Sequence, residues 1–195
     1  MSATLPEVCS TALKEWALVG QALLRGEQLV LIRKGGLIEP GAGGLTVRSP
    51  VFVFYPTFEH QTVNYVREPF RGYADQAAAW RPADGQLRFE LGGVVTASAQ
   101  THDASIIARL EPFHIYNDAF LTQRLKWQPD QPLVILLVRA FRLPAPHAVP
   151  ISPDYAGCKS WVDLEQPVPL AGARPVVDDR VFEARAQQIC LLLGI

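Results

Sequence analysis

Side chains able to do chemistry follow two apolar stretches within residues 29–61. Arg33 and Lys34 come directly after the first stretch, and Glu59, His60 and Gln61 come after the second. A histidine titrates near neutral pH and a nearby carboxylate raises its pKa, so Glu59 and His60 form a candidate general acid–base pair. Arg33 and Lys34 predict either a phosphate contact or an ion pair with Glu59. The alternative to a site is a helix start in which Glu59 and His60 are structural.

A second group of candidates lies in residues 155–161, which read YAGCKSW. Lys159 is next to Cys158, and an adjacent ammonium group favours the reactive thiolate of a cysteine. A base such as His60 within hydrogen-bond distance would then complete a nucleophilic site. A buried, inert cysteine in a tight turn is the other interpretation of Cys158.

Cations and aromatic rings elsewhere in the chain are candidate contacts to a phosphate or a base. Arg139 and Arg142 are three apart on one predicted strand and face opposite ways, so at least one is paired inside the fold or exposed to solvent or ligand. The predicted ligand-binding residues are Arg33, Lys34, Gln61, Arg139, Lys159 and Trp161. Further stacking or phosphate contacts are open to Trp80, Trp127, Tyr155, Arg124 and Lys126.

The motifs of several enzyme classes are absent from the sequence. It has no (Asp/Glu)-x-Lys, which a restriction-type nuclease needs to hold Mg²⁺, and no Glu-rich Nudix helix. The glycines that follow Lys34 lack the P-loop pattern and lead into a strand, which predicts a connecting loop: Gly35, Gly36, Gly41, Gly43 and Gly44. Nor do possible metal ligands have the close spacing of a zinc site, so no metal or cofactor is predicted; they are His60, His102, His114, Asp103 and Cys158.

Composition is typical of a folded globular protein. The chain has 195 residues, of which 49% are hydrophobic and 19% charged, and a formal net charge of −1. This charge gives no global basic field that would indicate nucleic acid. The three cysteines are too far apart for a disulfide framework, which predicts a reduced, cytoplasmic setting. No apolar run has the length of a membrane helix or the pattern of a signal peptide.

Hydrophobic periodicity predicts several strands among short helices, without strict alternation of the two. Such an order favours an α+β domain with a mixed, mostly antiparallel sheet, either curved or closed into a small β-barrel, and flanking helices. The predicted domain covers 1–164, followed by a connector at 165–177 and an amphipathic C-terminal helix at 178–195 that packs on it. The predicted strands are 28–33, 51–55, 87–101, 132–143 and 161–164, and the predicted helices are 11–25, 57–66, one after Asp103, one from Asn117 to Leu125, and 179–193.

A set of motifs along the chain resembles the bacterial domain of unknown function 1802 family. The motifs are LKEWA, LIRKGG, YPTFEHQ, RLKW, LLVRAFRL and YAGCKSWV, and they extend to about residue 164. The family has no established activity, so the resemblance assigns no catalytic residue. Some relatives are joined to restriction-endonuclease-type domains, which implies DNA-directed defence as a context.

The start of the chain is also similar to the ASCH domains of the PUA-like superfamily. Their initial motif is a helix followed by G-x-K-x-x-E-x-R on a strand. Gly26 and Arg33 keep this spacing, whereas Gln28 and Leu31 replace the motif's Lys and Glu. Such domains are small β-barrels that often bind RNA, so the resemblance implies a PUA-like barrel.

Three functions stay open at the level of the sequence. The first is a nucleic-acid-binding module, for DNA or RNA, with Arg33, Lys34, Arg139 and Lys159 as phosphate contacts. The second is a small enzyme that uses acid–base or cysteine chemistry at the His60, Glu59 and Cys158 side chains. The third is a structural domain that contacts a protein partner or a second copy through its C-terminal helix.

Overall fold

In the described part of the chain, nine strands form two sheets. The computed structural model describes residues 5–34, 38–41 and 44–195, with the backbone alone at 38–41 and 44–46. Its strands are β1 (Val8–Trp16), β2 (Val30–Arg33), β3 (Ile38–Gly41), β4 (Gly44–Val47), β5 (Val51–Thr57), β6 (Gln86–Thr101), β7 (Leu133–Pro150), β8 (Trp161–Pro169) and β9 (Arg174–Pro175). The main sheet has the order β2-β7-β6-β5-β1-β8, with β9 paired to β7, and β3 and β4 form a separate hairpin.

The main sheet confirms the predicted α+β class. β1 and β5 are parallel, whereas the other described strand pairs are antiparallel. The described residues contain no backbone pairing between β2 and either β1 or β8, so the sheet does not close into a barrel. Of the predicted glycine-rich loop, Gly35, Gly36 and Gly43 lie outside the described residues.

The predicted helix over 11–25 is wrong in its first half. Residues 8–16 form β1, and the helix α1 (Ala17–Leu23) begins only after it. Pairing with β5 on one side and β8 on the other outweighs the helical spacing of the apolar side chains. The buried residues of α1 surround the whole helix, which explains the continuous apolar signal.

The predicted helix over 57–66 is also wrong. β5 runs through Pro56 to Thr57, and a single 3₁₀ turn follows at Val63–Tyr65. Glu59 and His60 therefore lie in a loop rather than in a helical turn. His60 has a φ of 59°, in the left-handed region of backbone conformation. Residues with a side chain rarely adopt this region, and they do so mostly in tight loops.

The described residues form four further helices beside the sheet: α2 (Tyr73–Ala78), α3 (Ala104–Arg109), α4 (Asp118–Lys126) and α5 (Asp179–Leu193). The predicted N-caps of α3 and α4 are confirmed, since Asp103 accepts from the Ser105 amide and Asn117 from the Phe120 amide. In α5, Phe182 and Ile189 are buried in the main core. No helix in the described part of the chain is long and apolar enough to cross a membrane.

Candidate functional site

The ends of several strands meet at one cleft. Because β1 and β5 are parallel, their carboxyl ends lie at the same end of the sheet, with Trp16 opposite Thr57. β8 runs antiparallel to β1 and begins at this end, with Trp161 opposite Leu13. Between these ends and the last residue of β2, Arg33, is a cleft of about 860 Å³. This volume is within the usual range of small-molecule sites.

Arg33 lies at the base of the cleft and connects three strands. Its Nη1 donates to the Lys14 carbonyl of β1 at 2.5 Å and approaches Glu15 Oε2 at 3.4 Å. Its Nη2 donates to Ser160 Oγ at 3.1 Å, directly before β8. The carboxylate beside Arg33 is thus the buried Glu15 and not Glu59, the partner considered from the sequence.

Lys14 is a cleft residue that the sequence prediction missed. Its Nζ donates to the carbonyls of Tyr155 and Gly157, the latter at 3.1 Å, and lies 5.2 Å from the centre of the Tyr55 ring. Burial lowers the pKa of Lys14, and the positive charge of Lys159 adds to this effect, whereas Glu59 and Cys158 oppose it. Burial along β1 does not alternate strictly, so no clear period-two pattern marked it as a strand, and the helical spacing of Leu and Trp favoured a helix.

Lys34 is buried, with 8% of its surface exposed. Its Nζ donates to the carbonyls of Arg124 at 3.0 Å and Leu125 at 3.1 Å, near the end of α4. A cation at this position satisfies carbonyls that have no partner within the helix and interacts favourably with the helix dipole. Lys34 therefore joins the end of β2 to α4 while keeping its charge at the cleft.

Arg124 of α4 and Trp127, the C-cap of α4, line the cleft beside Lys34. Arg124 lies over the Phe120 ring at 5.0 Å, and its Nε is buried without a hydrogen-bond partner among the described residues. Trp127 lines the same wall and is 50% exposed.

The cleft brings together most of the predicted site residues. Glu59, His60, Cys158 and Lys159 line it along with Arg33 and Lys34, and these first four are exposed. The interpretation of Cys158 as a buried residue is wrong. The Nζ of Lys159 donates to the Asp154 carbonyl at 3.1 Å, which leaves its charge unneutralised by that contact.

Three predicted ligand-binding residues lie elsewhere. Gln61 Oε1 accepts from the Leu18 amide at 2.9 Å and so fixes the start of α1. Arg139 is buried, pairs with Asp179 of α5 and lies over the ring of Phe182. Trp161 is buried and packs edge-on against Phe52, with ring centroids 6.0 Å apart. These contacts hold the fold together.

The cleft has a local excess of positive charge. Among the described side chains, five cations line it against two carboxylates, a surplus of three, although the whole chain has a net charge of −1. The cations are Lys14, Arg33, Lys34, Arg124 and Lys159, and the carboxylates are Glu15 and Glu59. Within the described residues, no group of three or more His, Cys, Asp or Glu side chains is arranged to hold a metal ion.

Comparison with protein families supports the sequence resemblance. The profile of the domain of unknown function (DUF1802) matches residues 12–188. The chain belongs to this family. The DUF1802 match extends beyond the motifs recognised in the sequence and includes most of α5.

Two solved structures are similar to this DUF1802 chain, both of single-residue variants of ZmASCH from Zymomonas mobilis. One has 11% sequence identity and a TM-score of 0.45, covering 80% of this chain and 90% of that chain. The other has 11% identity and a TM-score of 0.43, covering 94% and 99%. No curated protein matches the chain.

Proposed function

We propose that this DUF1802 chain is a nucleic-acid-binding module and that the cleft holds a single-stranded segment. The observation that carries the proposal is the surplus of positive charge in the cleft of a chain that is almost neutral overall. Phosphates supply most of the affinity in sequence-independent binding of nucleic acids, and aromatic side chains add stacking with the bases. Trp127 is an exposed aromatic ring at the cleft.

The way in which the cations are held favours an anionic ligand. Lys14, Lys34 and Lys159 donate to backbone carbonyls, which orient the ammonium groups without neutralising them. Of the five, Arg33 alone has an ion pair with a described residue, at 3.4 Å from Glu15 Oε2. Preorganised charges lose little conformational entropy when a ligand binds.

A salt series tests the proposal. We expect single-stranded RNA or DNA to bind at low salt, with affinity that decreases as salt increases. Replacing Lys159 by Gln removes one phosphate contact and should reduce the salt slope by roughly 0.7 for a single strand. Arg180→Gln, at an exposed position of α5 outside the cleft, is the control and should leave the slope unchanged. An absence of binding at low salt would contradict the proposal.

A small enzyme is the second candidate function, because the exposed Cys158 lines the same cleft as Glu59 and His60. Acid–base assistance by His60 should make Cys158 react faster with an alkylating reagent. We expect His60→Gln to slow alkylation of Cys158 near neutral pH, measured by mass spectrometry. An unchanged rate would exclude cooperation between these two residues.

The remaining sequence predictions concern context. The link to restriction and defence systems stays a prediction from the family resemblance, as does the cytoplasmic setting from cysteine usage. Contact with a partner or a second copy through α5 also stays a prediction. The exposed large apolar residues available for it are Val181, Leu191 and Ile195.

A further inference from the structure

The base of the cleft is closed by the hydrophobic core. Trp16 and Phe120 line the cleft but are almost completely buried, with ring centroids 5.4 Å apart in an edge-to-face contact. Beside them, the Arg33 guanidinium joins β2 to the Lys14 carbonyl of β1. A nucleic-acid strand therefore cannot pass through the fold. A strand that enters the cleft by its end would place its terminal group against this floor.

Arg124 is the cleft cation best placed to bind an anionic group of a ligand. Its buried Nε has no hydrogen-bond partner in the part of the chain that the structure describes. An unsatisfied buried donor is unfavourable. A phosphate oxygen would satisfy it once the Arg124 side chain turns toward the cleft that it lines. The Nζ of Lys34 lies 3.0 Å from the Arg124 carbonyl, so both cations belong to one end of α4.

The charge of a terminal phosphate suits this arrangement better than that of an internal one. A phosphate monoester carries about −1.5 to −2 at pH 7 and offers three acceptor oxygens. An internal phosphodiester carries a single negative charge. The surplus of three positive charges in the cleft can neutralise the monoester fully, and the planar guanidinium of Arg124 can bind two of its oxygens.

Trp127 supplies a surface for the base next to that phosphate. It is the C-cap of α4, three residues after Arg124, and half of its surface is exposed at the cleft. An exposed indole stacks with any base, because every base has a π-face.

We propose that the cleft binds the phosphorylated end of a single-stranded nucleic acid. The terminal phosphate lies at Arg124 and Lys34, and the terminal base stacks on Trp127. This inference rests on the proposed nucleic-acid-binding function and narrows it from a strand in general to a strand end.

Competition binding with short oligonucleotides of one sequence tests the inference, in both RNA and DNA. The competitors carry a phosphate at the 5′ end, at the 3′ end or at neither end, and a covalently closed circle has no end. We expect a terminal phosphate to strengthen binding by roughly tenfold over the hydroxyl-ended strand. The circle should be the weakest competitor.

Two substitutions, one in the cleft and one outside it, assign the effect to the site. Arg124→Gln should reduce the preference for the phosphorylated end to about the level of the hydroxyl-ended strand, whereas Arg180→Gln, at an exposed position of α5 outside the cleft, should keep it. Unfolding curves show whether each variant is folded. Equal binding of the circle and the phosphorylated strand would overturn end recognition and leave the proposed function intact. If none of the competitors binds at low salt, the proposed function fails and this inference fails with it.

Discussion

Arg33 Nη1 donates a hydrogen bond to the Lys14 carbonyl at 2.5 Å, across the gap between β2 and β1. β1 and β2 have no backbone pairing in the described residues. The Arg33 side chain therefore connects strands that backbone hydrogen bonds would join in a closed barrel. The same guanidinium contacts Glu15 and Ser160. One residue thus connects the two sides of the open sheet at the base of the cleft.

Replacing Arg33 by Gln should destabilise the protein. The substitution leaves the buried Glu15 carboxylate without its cation, and we expect the free energy of unfolding to decrease by roughly 2–3 kcal/mol in urea titrations. Arg88→Gln is the control, since it removes the more exposed Arg88–Glu90 pair, for which we expect a loss below about 1 kcal/mol. Equal losses in both variants would contradict a special role for Arg33.

Stability should decrease in mild acid because of His114. This ring is fully buried, and burial together with the nearby Arg67 lowers its pKa to about 4. In the unfolded chain the pKa is about 6.5, so below that pH the unfolded state binds a proton that the folded state does not. The stabilisation by neutral His114 is complete above the unfolded pKa and is lost as the pH falls towards 4, by about 3 kcal/mol in all.

Urea titrations at a series of pH values measure this effect. His114→Phe keeps an aromatic ring beside Tyr116, whose centroid lies 5.5 Å away in the native protein, and should have a flatter pH profile. His102→Asn, at an exposed position, should keep the wild-type profile. A profile of His114→Phe that is as steep as wild type would assign the acid sensitivity to other groups.

Gly93→Ala should destabilise the protein, whereas Gly72→Ala should not. A Cβ at Gly93 would lie 2.5 Å from the Phe52 ring, whereas a Cβ at Gly72 would have no atom within 4 Å. We expect Gly93→Ala to reduce the free energy of unfolding by about 1–3 kcal/mol through overpacking. Gly72→Ala should be neutral or stabilising by about 0.4–1 kcal/mol, because its φ of −62° is available to alanine. Thermal unfolding distinguishes the two outcomes.

The N-cap of α4 should affect both stability and the cleft. Asn117 Oδ1 accepts from the Phe120 amide at 3.1 Å, and Nδ2 donates to the Asn64 carbonyl at 2.7 Å. Asn117→Ala should reduce the free energy of unfolding by about 1 kcal/mol. Asn117→Asp keeps the cap acceptor and should lose less. Since α4 carries Arg124, Asn117→Ala should also weaken nucleic-acid binding, and unchanged binding would show that the cleft does not depend on this cap.

The sequence by itself determined the local features that depend on neighbouring residues. The apolar run from Leu133 is a strand because its side chains suit a doubly buried position. Asp103 and Asn117 are helix caps because their side chains reach amides two or three residues away. The clusters at 33–34 and 59–60 follow strands, and both reach the cleft.

Only the tertiary structure decided which side chains meet. Lys14 became a cleft residue because β1 pairs with β5 and β8, partners about 40 and 150 residues away in the chain. The same pairing placed Trp161 in the core, while Arg139 became an internal ion-pair partner of α5. A strand pattern shows that alternate residues share a face, but the register between distant strands decides which face becomes the cleft.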